Sequence, residues 1–201
     1  YVYEGDAKQV PAPRAVPPLP AGLKVYAAPE ATGRAALQAL VSDAGAQWAD
    51  QPEADALLIV QPWGGDATSE AVALGLDAAR CVALDPLPGF ALHRTLMLTA
   101  ATRPDMRDAA HALLAHGGTA VTVINDSPGF IVQRVLATIV NIAAQIAQRG
   151  IASVDDIEDA VQLGLGYPRG PLAWGDAIGG DKVLAILRRM QTQTGDPRYR
   201  P

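Results

Sequence analysis

With 201 residues, 49% of them hydrophobic and 18% charged, the chain has enough apolar material for one large or two small packed domains and is too apolar for disorder. A formal net charge of -5 provides no general attraction to phosphate backbones or anionic lipid, which excludes nucleic acid as the expected partner. Its one cysteine, Cys81, cannot form an internal disulfide and suits a reducing cytoplasm, and its apolar neighbours mark it as a packed thiol.

In chain order, Tyr1-Val2-Tyr3-Glu4-Gly5 lacks a starting Met and a charged-then-apolar leader, as expected for a piece of a longer polypeptide. Pro11, Pro13, Pro17, Pro18 and Pro20 remove amide donors and favour extended geometry, so residues 1–20 read as a tail and proline-rich linker. From 21 to 124 the pattern is βα alternation. Strands are predicted at Leu23 to Ala28, Ala46 to Ala49, Asp55 to Gln61, Arg80 to Asp85, Arg94 to Ala100 and Thr119 to Ile124. Helices are predicted at Ala31 to Asp43, Thr68 to Leu76 and Pro104 to His116, the last with proline at its start and Gly117-Gly118 at its stop. This reads as a parallel α/β layer.

Beyond Asn125 no strand pattern remains, and residues 125–201 are expected to be all-helical. Ser127 and Pro128 have the residue types of an N-cap and first helical position, predicting a helix from there to about Arg149. Ser153-Val154-Asp155-Asp156 opens a second helix, Gly170-Pro171 a third, and Asp181 to Thr194 is the fourth. The first carries Phe130, Ile131, Val132, Val135, Leu136, Ile139, Val140, Ile142 and Ile146 around most of its circumference, so burial on more than one side is expected.

Chemistry is hard to place on this pattern. A dinucleotide site needs a glycine-rich turn after the first strand, but Ala28-Pro29-Glu30-Ala31-Thr32-Gly33 has one glycine and an anion where a diphosphate would lie. His93, His111 and His116 fall at surface-type positions. The cluster Asp155, Asp156, Glu158 and Asp159 suits the first turns of a helix and lacks the His or Cys companions of a metal site, so no metal is expected. No run reaches the ~18 uninterrupted apolar residues of a membrane span.

Asn125-Asp126-Ser127-Pro128-Gly129-Phe130-Ile131-Val132-Gln133-Arg134 resembles the D-S/T-P-G-F-I-V-N-R motif of the 3-hydroxyacyl-CoA dehydrogenase family, at the junction of that family's Rossmann and helical domains. Ala152-Ser153, Asp155-Asp156-Ile157, Gly164-Leu165-Gly166-Tyr167-Pro168, Gly170-Pro171-Leu172 and Asp176-Ala177-Ile178-Gly179 follow in family order, and Leu84-Asp85-Pro86 is similar to the end of its H-F-F-N-P run. The resemblance implies a reduced Rossmann-like α/β sheet domain (21–124) followed by an all-α helical domain (125–201). It also implies a 3-hydroxybutyryl-CoA or 3-hydroxyadipyl-CoA type dehydrogenase that uses NAD to oxidise 3-hydroxyacyl-CoA to 3-oxoacyl-CoA.

Departures from the motif set the expectation for this segment. Val82 stands where the family's catalytic histidine falls, the stretch from Arg94 to Leu98 has no carboxylate to orient such a histidine, and Gln133 replaces the motif's Asn. Valine cannot take a proton from a hydroxyl. The segment is therefore expected to have no catalytic or cofactor-binding residues of its own, with NAD held elsewhere in the parent protein. Its implied role is that of a second unit pairing with the preceding catalytic unit of the same polypeptide, or with a homodimer partner, and framing an acyl-CoA cleft. Ser127, Phe130, Gln133, Arg134, Ile139 and Ile142 are the candidate substrate or interface residues. A ligand-free association module and an independently active dehydrogenase are the alternatives.

Overall fold

The computed structural model describes residues 15–201; the Tyr1 to Gly5 tail and most of the proline-rich linker lie outside the described residues. Six strands, β1 (Lys24–Ala27), β2 (Gln47–Trp48), β3 (Leu57–Val60), β4 (Cys81–Leu84), β5 (His93–Leu98) and β6 (Ala120–Ile124), form one sheet in the order β2-β1-β3-β4-β5-β6. The predicted strands are all present, shortened or shifted by a residue or two at their ends.

The sheet is mixed rather than wholly parallel. β4 and β5 pair antiparallel, with Val82 opposite Leu98, because the short link between them contains no crossover helix and can only turn the chain back. The remaining neighbours are parallel. The chain moves from β1 to β2 on one side and resumes with β3 on the other, so the crevice between the C-terminal ends of β1 and β3 is the topological switch point, where open α/β sheets bind ligands.

Alternating side chains of the central strands serve two cores. Val25, Leu57, Ile59, Val82 and Leu84 face α1 (Arg34–Asp43) and α3 (Pro104–Leu114), and Leu19 of the linker packs there too. Leu58, Val60, Cys81, Ala83 and Met97 face α2 (Ala67–Ala73) and Phe130. Full burial pushes the Cys81 thiol up to about 12, so it stays protonated and is a packing group.

Four helices follow: α4 (Val132–Gln148), α5 (Val154–Leu165), α6 (Pro171–Ile178) and α7 (Gly180–Thr194). Ala137 and Val140 of α4, Val183, Ile186, Leu187 and Met190 of α7, and Tyr199 form a third core, with Trp174 and Ile178 of α6 packed against it. Ser153 caps α5 as its local sequence predicts, accepting a hydrogen bond from the Asp156 amide at 3.1 Å. No helix is long and apolar enough to cross a membrane, and no group of three metal-ligating side chains occurs among the described residues.

The start of α4 departs from expectation. Ser127 does not cap it and Pro128 is not its first residue; the helix begins at Val132, without a side-chain cap. Gly129 (φ 79) and Phe130 (φ 46) are both left-handed, so Ser127 to Ile131 is a tight turn that no right-handed helix can contain. Tertiary contacts hold the turn: the Gly129 amide donates to the Gly65 carbonyl at 3.1 Å, and the Phe130 ring is buried on the second face of the sheet.

Candidate functional site

The polar side chains that cross between sheet and helices gather beyond the C-terminal ends of β3 and β4. Gln133, one of the candidate residues, lies in the first turn of α4 and is completely buried there. Its Oε1 accepts from the Gly64 amide at 2.7 Å, and its Nε2 donates to the Pro62 carbonyl at 3.2 Å and to Asp85 Oδ1 at 2.9 Å. One amide thus satisfies three groups from two strand ends. Glutamine reaches one methylene farther than the asparagine of the resembled motif.

Gly64 (φ 75) is required at this point because a β-carbon there would come within 2.5 Å of the Ile186 Cα in α7. Close backbone approach therefore occurs at Gly64, whereas a β-carbon on Gly129 would meet the Met190 side chain. Asp126 ties the same region from the other side: its carboxylate accepts from the Ala67 amide at 2.8 Å and from the Thr68 hydroxyl, closing the start of α2.

Asp85 is fully buried. Oδ1 accepts from Gln133 and from the Leu87 amide at 3.0 Å, while Oδ2 has no hydrogen-bond partner among the described residues. Burial raises its carboxyl above the usual range, opposed by the Gln133 and Leu87 hydrogen bonds. The folded chain thus holds this proton more tightly than the unfolded chain does. Stability present below the unfolded value, about 3.9, is lost as pH rises from there through the folded value. Asp85→Asn keeps an acceptor for both donors without the charge, so its melting temperature should exceed the parent's at pH 7 by several degrees, with the gap closing toward pH 3. A gap independent of pH would mean that Asp85 carries no buried charge.

The other candidate residues fall into two places. Arg134 donates to Ser127 Oγ at 2.8 Å, to the Pro128 carbonyl at 2.6 Å and to the Tyr199 hydroxyl at 3.1 Å, stapling the Ser-Pro-Gly-Phe turn to the chain's last residues. Ser127, Phe130, Gln133 and Arg134 are therefore brought together as junction residues. Ile139 and Ile142 are not; they line a separate apolar groove of about 190 Å³ between α4, α5 and α6, with Ile146, Ile157 and Val161. Ile142 is 55% exposed, and Ile131 and Val135 continue the uncovered apolar stripe.

Val82 lies in mid-β4 inside the core shared with α1 and α3, facing away from Gln133 and the helices. Arg94, in the stretch that lacks a carboxylate, is also buried; it donates to the Phe90 carbonyl at 2.8 Å and to the Leu114 carbonyl at the end of α3. Asp85, Gly64 and Thr68 were not among the candidate residues; the signals for them were the Leu84-Asp85-Pro86 run and Gly64-Gly65 after Trp63.

The switch-point crevice does not fit a dinucleotide. Binding a diphosphate requires free amides and open space at the start of the helix after β1. Here the Phe90 ring lies 3.0 Å from where a β-carbon on Gly33 would be, and Arg34 spends its guanidinium on the carbonyls of Ala27 (2.7 Å) and Ala28 (3.2 Å). NAD therefore has no cradle in this turn.

Residues 129–201 match the model of the 3-hydroxyacyl-CoA dehydrogenase C-terminal domain. Among curated proteins, the chain is 38% identical over 151 residues to a 3-hydroxyadipyl-CoA dehydrogenase of Escherichia coli (strain K12), covering 74% of this chain and 30% of the relative. A solved 3-hydroxybutyryl-CoA dehydrogenase of Escherichia coli K12 superposes with TM-score 0.62 at 34% identity, over 71% of this chain and 29% of that one. A (S)-3-hydroxybutyryl-CoA dehydrogenase of Ralstonia eutropha gives TM-score 0.69 at 27% identity, over 89% of this chain and 62% of that one. The chain thus spans less than a third of the length of the Escherichia coli relatives.

Proposed function

Because the chain belongs to the 3-hydroxyacyl-CoA dehydrogenase family, we propose that it is the C-terminal part of an NAD-dependent enzyme that oxidises 3-hydroxyacyl-CoA to 3-oxoacyl-CoA, in which this unit supports catalysis without performing it. The observation that carries this reading is the filled junction. Gln133 occupies the end of β3 and β4 with three hydrogen bonds, and Val82 sits in the core where no reacting atom can reach it. The uncovered Ile131, Val135 and Ile142 face of α4, together with its adjoining groove, supports pairing with the preceding catalytic unit of the same polypeptide or with a homodimer partner.

Calorimetric titration of the chain with NADH and with acetoacetyl-CoA tests the reading. No NADH binding and no ketoacyl reduction are expected; acetoacetyl-CoA binding alone would assign this unit a share of the acyl-CoA cleft. Turnover of acetoacetyl-CoA by the chain by itself would overturn the proposal.

Pairing has its own prediction. Ile142→Asp should weaken association by about a hundredfold, because an unpaired carboxylate buried at an interface costs several kcal/mol. Its half-exposed position leaves the fold of the single chain within about 0.5 kcal/mol of the parent. Ile139→Asp, in the same groove, should act likewise. Sedimentation velocity unchanged in both variants would remove this face as the association surface.

A further inference from the structure

Gly64-Gly65 follows β3, at the end of the sheet where open α/β folds bind ligands, but what it meets there is a helix. Trp63, Gly64, Gly65 and Asp66, which link β3 to α2, lie in turn along α7. The Trp63 ring packs against the helical core, with the Lys182 ammonium 4.8 Å from its centroid. A β-carbon on Gly64 would come within 2.5 Å of the Ile186 Cα, and one on Gly65 within 3.0 Å of Arg189 Cζ. Asp66 Oδ2 accepts from Gln193 Nε2 at 2.6 Å.

Lys182, Ile186, Arg189 and Gln193 are four, three and four residues apart, which places them in a single stripe down α7. The order of the stripe matches the order of the link, and each step from Trp63 to Asp66 advances about one helical turn. Two further contacts come from the first turn of α2, where Glu70 accepts from Arg189 at 2.6 Å and the Ser69 hydroxyl accepts from Gln193 at 3.1 Å. The Arg189–Glu70 pair is partly exposed and adds little by itself. The two glycines matter more, because only residues without a β-carbon let the backbone of the link reach the helix.

Among the described residues the chain crosses from sheet to helices once, through residues 125–131. Two units joined by one short passage swing about it unless a wide contact prevents the motion. We infer that Trp63 to Asp66 are a docking lane for α7 that removes this hinge, so that sheet and helices form one body and unfold in one step. A glycine pair of the kind that elsewhere lets a phosphate approach the backbone here admits a helix. This holds whether or not the unit pairs with another, and so stands apart from the function proposed above.

Amide exchange of the full chain over a series of low urea concentrations, resolved by NMR, is the test. In the parent, the slowest amides of α7 and those of β3 and β4 should be released by one opening, with the same urea dependence. Gly64→Ala should break the lane, speeding exchange of the α7 amides by about tenfold or more beyond any change in β3. Gly75→Ala is the control: Gly75 is also left-handed (φ 65, against 75 at Gly64), but a β-carbon there has nothing within 4 Å. It carries the backbone strain without touching the lane and should speed both sets by the same factor. A parent in which α7 opens separately from β3, with a smaller urea dependence, would overturn the inference, and that measurement requires no variant to fold. So would Gly64→Ala acting equally on α7 and β3.

Discussion

Gln133→Leu is expected to lower the unfolding free energy by about 3 to 5 kcal/mol, read from the midpoint of urea denaturation. Leucine fills a similar volume but leaves the Gly64 amide, the Pro62 carbonyl and Asp85 Oδ1 without the partner that now lies 2.7 to 3.2 Å away from each. An unsatisfied buried polar group costs about 1 to 3 kcal/mol, and neighbours in one network do not add fully. The loss is large against the total of about 5 to 15 kcal/mol typical of a folded domain. Gln133→Asn, one methylene shorter, should fall between leucine and the parent. A destabilisation below about 1 kcal/mol would show that Gln133 does not hold the junction closed, and would reopen the reading of Gln133 as a substrate contact.

Phe130→Ala should cost about 3 to 5 kcal/mol through the lost ring, which is 2% exposed and belongs to the buried cluster on the second face of the sheet. The informative comparison is Phe130→Gly. Glycine normally destabilises more than alanine, but at φ 46 the β-carbon itself is opposed by sterics worth about 1 to 2 kcal/mol, so the glycine variant should be the more stable of the two. Alanine proving more stable would mean that the left-handed turn relaxes once the ring is gone. Since Arg134 is hydrogen-bonded to Ser127 and Pro128 of the same turn, both variants should also loosen its tie to Tyr199.

Much of the sheet was legible because its signals are local. The apolar runs at Leu57 to Val60 and Cys81 to Leu84 suit strands covered on both faces, and both are central and buried. Ser153 and Asp156 form a cap from residues three apart, within reach of each other whatever the rest of the chain does. The reversal of β5 was overlooked although the missing helix before it was visible. Ser127-Pro128 misled for a different reason: they are the right residues for a helix start, but the dihedrals of Gly129 and Phe130 are fixed by contacts with Gly65, Met190 and the sheet.

By itself the amino-acid sequence determined the βα alternation, the four-helix end, the surplus of apolar surface on α4 and the absence of a base at Val82, because periodicity, capping and side-chain chemistry are properties of near neighbours. Only the tertiary structure decided that Gln133 points inward to tie two strand ends, that Asp85 is buried with one oxygen unpartnered, and that Gly64 rather than Gly129 admits a helix backbone. Each of those depends on which distant segment arrives at a given point, and burial and hydrogen-bond partnership are set by that arrival, with no trace in the residue type.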